Sequence, residues 1–99
     1  MLTSASTFSG GEALAYDLQA LGRAVVVGET TRGGAHPSIM VPLTEQIELR
    51  LPVARPINAV TGGNWEGVGV QPDIAVPAAD ALDGACRAAL AARIDSAET

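Results

Sequence analysis

Ser9 stands in Thr-Phe-Ser-Gly-Gly-Glu-Ala-Leu, residues 7 to 14, with a glutamate three positions on and apolar residues at helical spacing beyond it. Two chemistries fit that pattern. In the first, Ser9 and Glu12 form a capping box: the serine oxygen accepts from a first-turn N–H while the glutamate reaches back to the cap residue. In the second, Ser9 is a nucleophile on a strand-to-helix turn, its oxygen near the positive end of the helix macrodipole. Gly10 and Gly11 would then let a substrate carbonyl approach backbone N–H donors that act as half of an oxyanion hole. Spacing alone leaves both readings open.

A nucleophilic serine needs a base within hydrogen-bond reach, because its hydroxyl is scarcely ionised at neutral pH. The 99 residues contain no lysine, and His36, in Gly-Gly-Ala-His-Pro, is the single imidazole. It serves either as that base or as an ordinary loop residue bracing the turn before Pro37. The second informative stretch is Trp65-Glu66-Gly-Val-Gly-Val-Gln-Pro-Asp73. Glu66 is either a solvated acid beside a hydrophobic plug or a carboxylate partly shielded by the indole and used to orient a catalytic partner. Asp73, following Pro72, reads as a turn-stabilising Asx residue. Glycines abound, yet the stretch from Gly28 to Gly34 lacks the lysine and the following helix of a P-loop. Gly62 to Gly69 lacks G-x-G-x-x-G spacing after a strand, so nucleotide binding is disfavoured.

The elements that must position these residues follow from apolar periodicity. Residues 2 to 5 resemble the end of a strand, and Leu14, Leu18 and Leu21 recur at i, i+4 and i+7, which predicts a helix from about Ser9 to Leu21. Gly22 terminates it, and Arg23 to Gly28 is a short continuous apolar run typical of a strand covered on both faces. The result is a strand, helix, strand unit, most simply a right-handed parallel crossover. Residues 29 to 37 form a loop at the far end of the second strand, where open parallel sheets bind ligands. Ile39, Val41 and Leu43 alternate, as do Ile47, Leu49, Leu51 and Val53, predicting a hairpin with one buried face whose first strand, carrying Pro42, is an edge. Residues 55 to 69 are loop, a short strand covers 72 to 76, an Ala-rich helix covers 78 to 94, and residues 95 to 99 are expected to fray.

Composition narrows the function classes. A chain of 99 residues is at most one small domain, which buries only about two-thirds of the surface of its unfolded state. Apolar residues make up 47% of the chain with Phe8, Tyr16 and Trp65 its only aromatics, so the core is aliphatic. Net charge is −5 and the six cations are scattered arginines, which gives no basic stripe for a phosphate backbone and excludes nucleic acid as a partner. One cysteine, Cys86, and one histidine cannot assemble a zinc site or an intrachain disulfide. The longest solid apolar run, Ala24 to Val27, is far short of the ~20 residues of a membrane span, and no charged-then-apolar signal segment opens the chain. The sequence reads as soluble, calls for no cofactor and leaves the compartment open.

Four blocks together carry a resemblance: Leu2 to Glu12, Ala20 to Pro37, Arg55-Pro-Ile-Asn58, and Asn64 to Ile74. In this combination the chain resembles the C-terminal part of serine peptidases of family forty-one, the tail-specific or C-terminal processing peptidases. It is most similar to the branch containing the tricorn core protease and the modules of interphotoreceptor retinoid-binding protein. The resemblance implies that Ser9 is the nucleophile, that the N–H of Gly10 serves the oxyanion hole, and that Glu66 matches the carboxylate with which tricorn-like members orient a second serine and a histidine. Those partners and the other oxyanion donor lie upstream of the nucleophile in the family and have no counterpart in these residues. The processing-peptidase branch has a lysine where Gly34 stands, a departure that places this chain on the tricorn-like side.

The implied fold is an α/β domain, a ββα spiral similar to crotonase and the Clp protease, present here as a partial domain across residues 1 to 99. It comprises a parallel strand-helix-strand unit, a β-hairpin and a C-terminal helix. An upstream part of the domain, or self-association, is expected to cover the edge of the sheet. The implied activity is peptide-bond hydrolysis by a serine endopeptidase, with a peptide or protein as substrate and no activity expected of this piece alone. The alternative is a non-catalytic module that holds a retinoid or fatty acid in an apolar cleft lined by the hairpin.

Overall fold

A computed structural model describes residues 1–98. Strand β1 (Leu2–Thr3) leads through a loop to helix α1 (Gly10–Ala20), then β2 (Val27–Gly28), the hairpin strands β3 (Ser38–Pro42) and β4 (Glu48–Pro52), β5 (Ile74–Ala75), one 3-10 turn at Ala78–Asp80, and helix α2 (Ala81–Glu98). The architecture is mixed α/β, with the expected strand-helix-strand unit, hairpin and C-terminal helix. Fraying was expected of residues 95 to 99; α2 extends to Glu98, and Thr99 lies outside the described residues.

Strand β2 is central in a three-stranded parallel sheet of order β1-β2-β5, with Leu2 opposite Val27 and Val27 opposite Ile74. The regular strands are shorter than the apolar runs, for identifiable reasons. β1 stops because Ser4 and Thr7 close a turn, Thr7 N–H donating to the Ser4 carbonyl at 3.0 Å and Ser4 N–H to Thr7 Oγ1 at 3.0 Å. β2 starts late because Val26 N–H donates to Asp73 Oδ2 at 2.7 Å rather than to a strand carbonyl. Asp73 therefore does not make the local Asx turn expected of it; it fastens the approach to β5 onto β2. Gly28 is required within β2: its φ is 139°, and a Cβ there would run into the Thr3 carbonyl oxygen of β1.

The core is small: Ala15, Val26, Val27, Trp65, Val70 and Ala81 are its buried apolar residues, with Thr3, Glu12 and Thr31 buried among them. Helix α1 turns Glu12 and Ala15 inward rather than its leucine stripe; Leu18 is half-buried, while Leu14 and, just past the helix end, Leu21 remain 54% and 60% exposed. Two contacts hold this rotation in place. The Glu12 carboxylate is bound by donors inside the molecule, and Tyr16 packs on Trp65 with ring centroids 5.3 Å apart. Cys86, of a residue type usually buried, is exposed on α2.

The hairpin pairs as the alternation predicts, Ile39 opposite Leu51 and Val41 opposite Leu49. Its expected buried face is not found. Ile39, Leu49 and Leu51 are all exposed, because no other described element packs across either face of this two-stranded sheet. The molecule is a thin slab of 64 × 31 × 15 Å with a radius of gyration of 17.0 Å, against about 13 Å for a compact domain of this length.

Candidate active site

Ser9 sits where the loop after β1 becomes α1, and it is the only non-glycine residue with positive φ among the described residues, at φ 53° and ψ −113°. Such a backbone costs of order 1–3 kcal/mol and persists only when its surroundings dictate it. Here the surroundings are explicit. Ser9 N–H donates to Glu12 Oε2 at 2.7 Å and the Ser9 carbonyl accepts from Ala13 N–H at 2.9 Å. Upstream, the Thr7 carbonyl accepts from Arg32 N–H at 3.0 Å.

Ser9 and Glu12 do form the capping box, but its firm arm is the glutamate's; the serine side chain makes no hydrogen bond of proper capping geometry. The residue is exposed at the amino end of α1. Gly10 follows as the first helical residue, where no intrahelical carbonyl is available to the N–H.

Glu12, fully buried, accepts from four donors. Thr31 Oγ1 donates at 2.6 Å, Gly34 N–H at 3.0 Å, Gly33 N–H by a short bond, and Ser9 N–H as above. Burial acts to raise its carboxyl pKa, yet the Thr31 hydroxyl and the Gly34, Gly33 and Ser9 amides together outweigh it and hold the group below its usual range. Thr31 Oγ1 in turn accepts from Val70 N–H at 2.7 Å. This network couples the start of α1, the loop after β2 and the segment before β5. The Ser-x-x-Glu spacing pointed to Glu12 as a partner of Ser9, but nothing in it showed three further donors arriving from residues 31 to 34.

Glu66 takes the next two donors of the same loop. Its Oε2 accepts from Ala35 N–H and, at 3.0 Å, from His36 N–H. The Ala35 amide is the largest cause, followed by the His36 amide, that keeps this carboxyl below its usual range; partial desolvation and the charge of Glu12 oppose them and the nearby His36 ring adds to them. Four consecutive backbone amides, 33 to 36, are thus shared between two carboxylates from different parts of the chain. Asn64 sets Glu66 in turn. Its Oδ1 accepts from Glu66 N–H at 2.8 Å, while its Nδ2 donates to the Pro56 carbonyl at 2.9 Å and lies 3.3 Å from His36 Nε2. Trp65 is buried beside this exposed acid and donates Nε1–H to the Gly34 carbonyl at 2.8 Å.

Ser9, His36 and Glu66 line one cleft of about 750 Å³, together with Phe8, Arg32 and Arg50. Gly10 adjoins Ser9 at its edge and does not line it. The Arg32 guanidinium lies 5.0 Å from the centre of the Phe8 ring, and Arg50 Nη1 donates to Ser38 Oγ at 3.2 Å. The scattered spacing of the arginines gave no sign that two would meet here. Gly34 is fixed by the same ring: a Cβ at that position would collide with Phe8, so a lysine cannot stand there without moving Phe8, and Arg32 with it.

An exposed serine on a strained turn, held by a buried carboxylate at the mouth of a cleft, is an arrangement suited to nucleophilic chemistry. The model of Peptidase family S41 matches residues 1–76, and the chain belongs to that family. Membership carries serine-peptidase resemblance and implies protein substrates. No helix of the described residues is long and apolar enough to cross a membrane.

Proposed function

We propose that this chain carries the nucleophilic half of a serine endopeptidase site. Ser9 Oγ attacks a peptide carbonyl lying in the cleft, and its proton passes to a base as the carbonyl carbon becomes tetrahedral. The N–H of Gly10, at the positive end of α1, stabilises the oxyanion that develops. Glu66 orients the basic partner. Because Gly34 stands where the processing-peptidase branch has its lysine, we take that partner to be an imidazole, supplied as in tricorn-like members from outside these residues, on a parallel sheet that continues as a crotonase-like ββα spiral. By itself the chain then turns over little or no peptide.

One observation carries this reading: the backbone strain concentrated at Ser9. A helix cap needs no positive φ, and serine caps ordinarily lie in the extended region. A turn of the strained kind projects the side chain into the open, as in the nucleophile elbows of other hydrolases. The apolar-ligand reading gains nothing from the cleft, which is bordered by Arg32, Arg50 and Glu66, nor from the hairpin, whose apolar residues enclose no cavity there.

The test is covalent labelling of the protein at its natural length with a fluorophosphonate. Labelling of the wild type and none of Ser9→Ala is the expected result, with the modified peptide containing residue 9. Equal labelling of both proteins removes Ser9 from the mechanism.

A further inference from the structure

We infer that the cleft selects substrates bearing a carboxylate side chain close to the bond that is cut, and that Arg32 and Arg50 are the residues that read it. The inference rests on the reading of Ser9 as the attacking group, and it names the substrate class for that site.

The chain carries eleven acidic residues and only six basic ones, so its average surface repels anions. Two of those six arginines nevertheless border the same cleft as Ser9. Among the described residues the one ion pair is Arg87 with Asp83, on α2. Neither cleft arginine is paired with a carboxylate among the described residues. The acid beside them, Glu66, already has Oε2 committed to the amides of Ala35 and His36.

Both guanidiniums are also held in place. The Arg32 guanidinium lies over Phe8, 5.0 Å from the ring centre, a contact with the ring face that does not itself use the N–H donors of its planar fork. Arg50 is tethered through Nη1 to Ser38 Oγ and has further donors to offer. Phe8 immediately precedes Ser9 and both line the cleft with Arg32, so an anion on Arg32 shares the cleft with the attacked carbonyl. A cleft with this sign of charge inside an acidic molecule also concentrates anionic ligands locally.

Three fluorescein-labelled heptapeptides test this by anisotropy, with Ser9→Ala as the host so that no peptide is cut. The first has a central Glu and an amidated C-terminus, the second a central Gln and the same amide, the third a central Gln and a free C-terminal carboxylate. The expected result is about tenfold tighter binding of the Glu peptide than of the amidated Gln peptide, the magnitude of one charge-assisted, partly exposed contact. The third peptide is expected to bind like the second. Equal affinity for the first two, or no binding of any of them, overturns the inference. So does a preference for the third over the first, which would assign the arginines to chain termini.

The double variant Arg32→Met, Arg50→Met is expected to abolish the discrimination, and discrimination that survives it overturns the assignment. Both positions are exposed, and the peptide comparison needs neither substitution. Fluorophosphonate labelling is read separately. If Ser9 is not labelled while Glu and Gln peptides are still distinguished, the hydrolase reading fails and the carboxylate-reading cleft stands. If Ser9 is labelled while the two peptides bind alike, the reverse holds.

Discussion

Glu12 accepts four hydrogen bonds in a place where water does not reach, and the turn that presents Ser9 depends on it. Its carboxyl is held below the ordinary value of about 4.3, so it binds its proton less readily in the folded chain than in the unfolded one. Its contribution to stability is therefore fully present above pH ~4.3 and is lost as pH falls through the lower folded value. Glu12→Gln would set an amide NH2 against backbone donors that need an acceptor. It should cost about 2–4 kcal/mol at pH 7 and flatten the acid limb of the melting-temperature profile below pH ~4.3. An unchanged acid limb in the variant would show that the carboxylate does not govern this behaviour. The sequence made the Ser9–Glu12 pairing legible, since three-residue spacing is a local property. It could not disclose the positive φ of Ser9 or the amides of Gly33 and Gly34, because these depend on how a loop some twenty residues away returns to the helix.

At the scale of elements, the loop after β2 is where distant parts of the chain meet. Its amides are divided between Glu12 and Glu66, and Gly34 lies against Phe8 too closely for any side chain. Gly34→Ala should displace Phe8, release Arg32 from the ring and lower the unfolding free energy by about 1–3 kcal/mol, the usual cost of overpacking. A calorimetric melt checks the loss, and a stability equal to wild type would mean that Phe8 moves aside freely. The hairpin illustrates the opposite limit of legibility. Alternation located its strands within a residue or two, and Ile39 does face Leu51, because pairing is set by local pattern. Which face becomes buried is decided by a partner element, and none of the described elements supplies one. The leucines of α1 show the same thing: periodicity identified the helix correctly, yet a buried carboxylate and an aromatic pair determined its rotation.

For the whole molecule the quantity that matters is uncovered surface. The accessible area is 6743 Å², whereas a compact monomer of 10.0 kDa exposes about 5,200 Å². The excess, about 1,500 Å², is nearly twice the roughly 800 Å² that one partner loses in a standard protein interface. Much of it is apolar, from Leu14 and Leu21 on α1, Leu82 and Leu90 on α2, and both faces of the hairpin. Surfaces of this kind associate. At micromolar concentration the 99-residue chain should bind anilinonaphthalene sulfonate strongly and sediment as concentration-dependent oligomers, and the substitutions Leu49→Lys and Leu51→Glu should reduce both signals. A monodisperse monomer that melts cooperatively would show that these faces need no cover. The topology of the central sheet was readable in outline, since the continuous apolar run at Ala24 to Val27 signalled a strand covered on both faces and Pro72 to Val76 read as a further short strand. The thinness of the body was not, because a single chain's sequence says nothing of what lies against it.

A slab 15 Å thick also has no graded interior. Val70, in the buried core with Val26, donates its N–H to Thr31 Oγ1, and Thr31 in turn donates to the carboxylate under Ser9. Proteins with deeper bodies can open one region while another stays shut. Here an excursion that loosens the serine's turn draws directly on the bonds that tie the loop after β2 to the segment before β5, so the turn and that junction should open together.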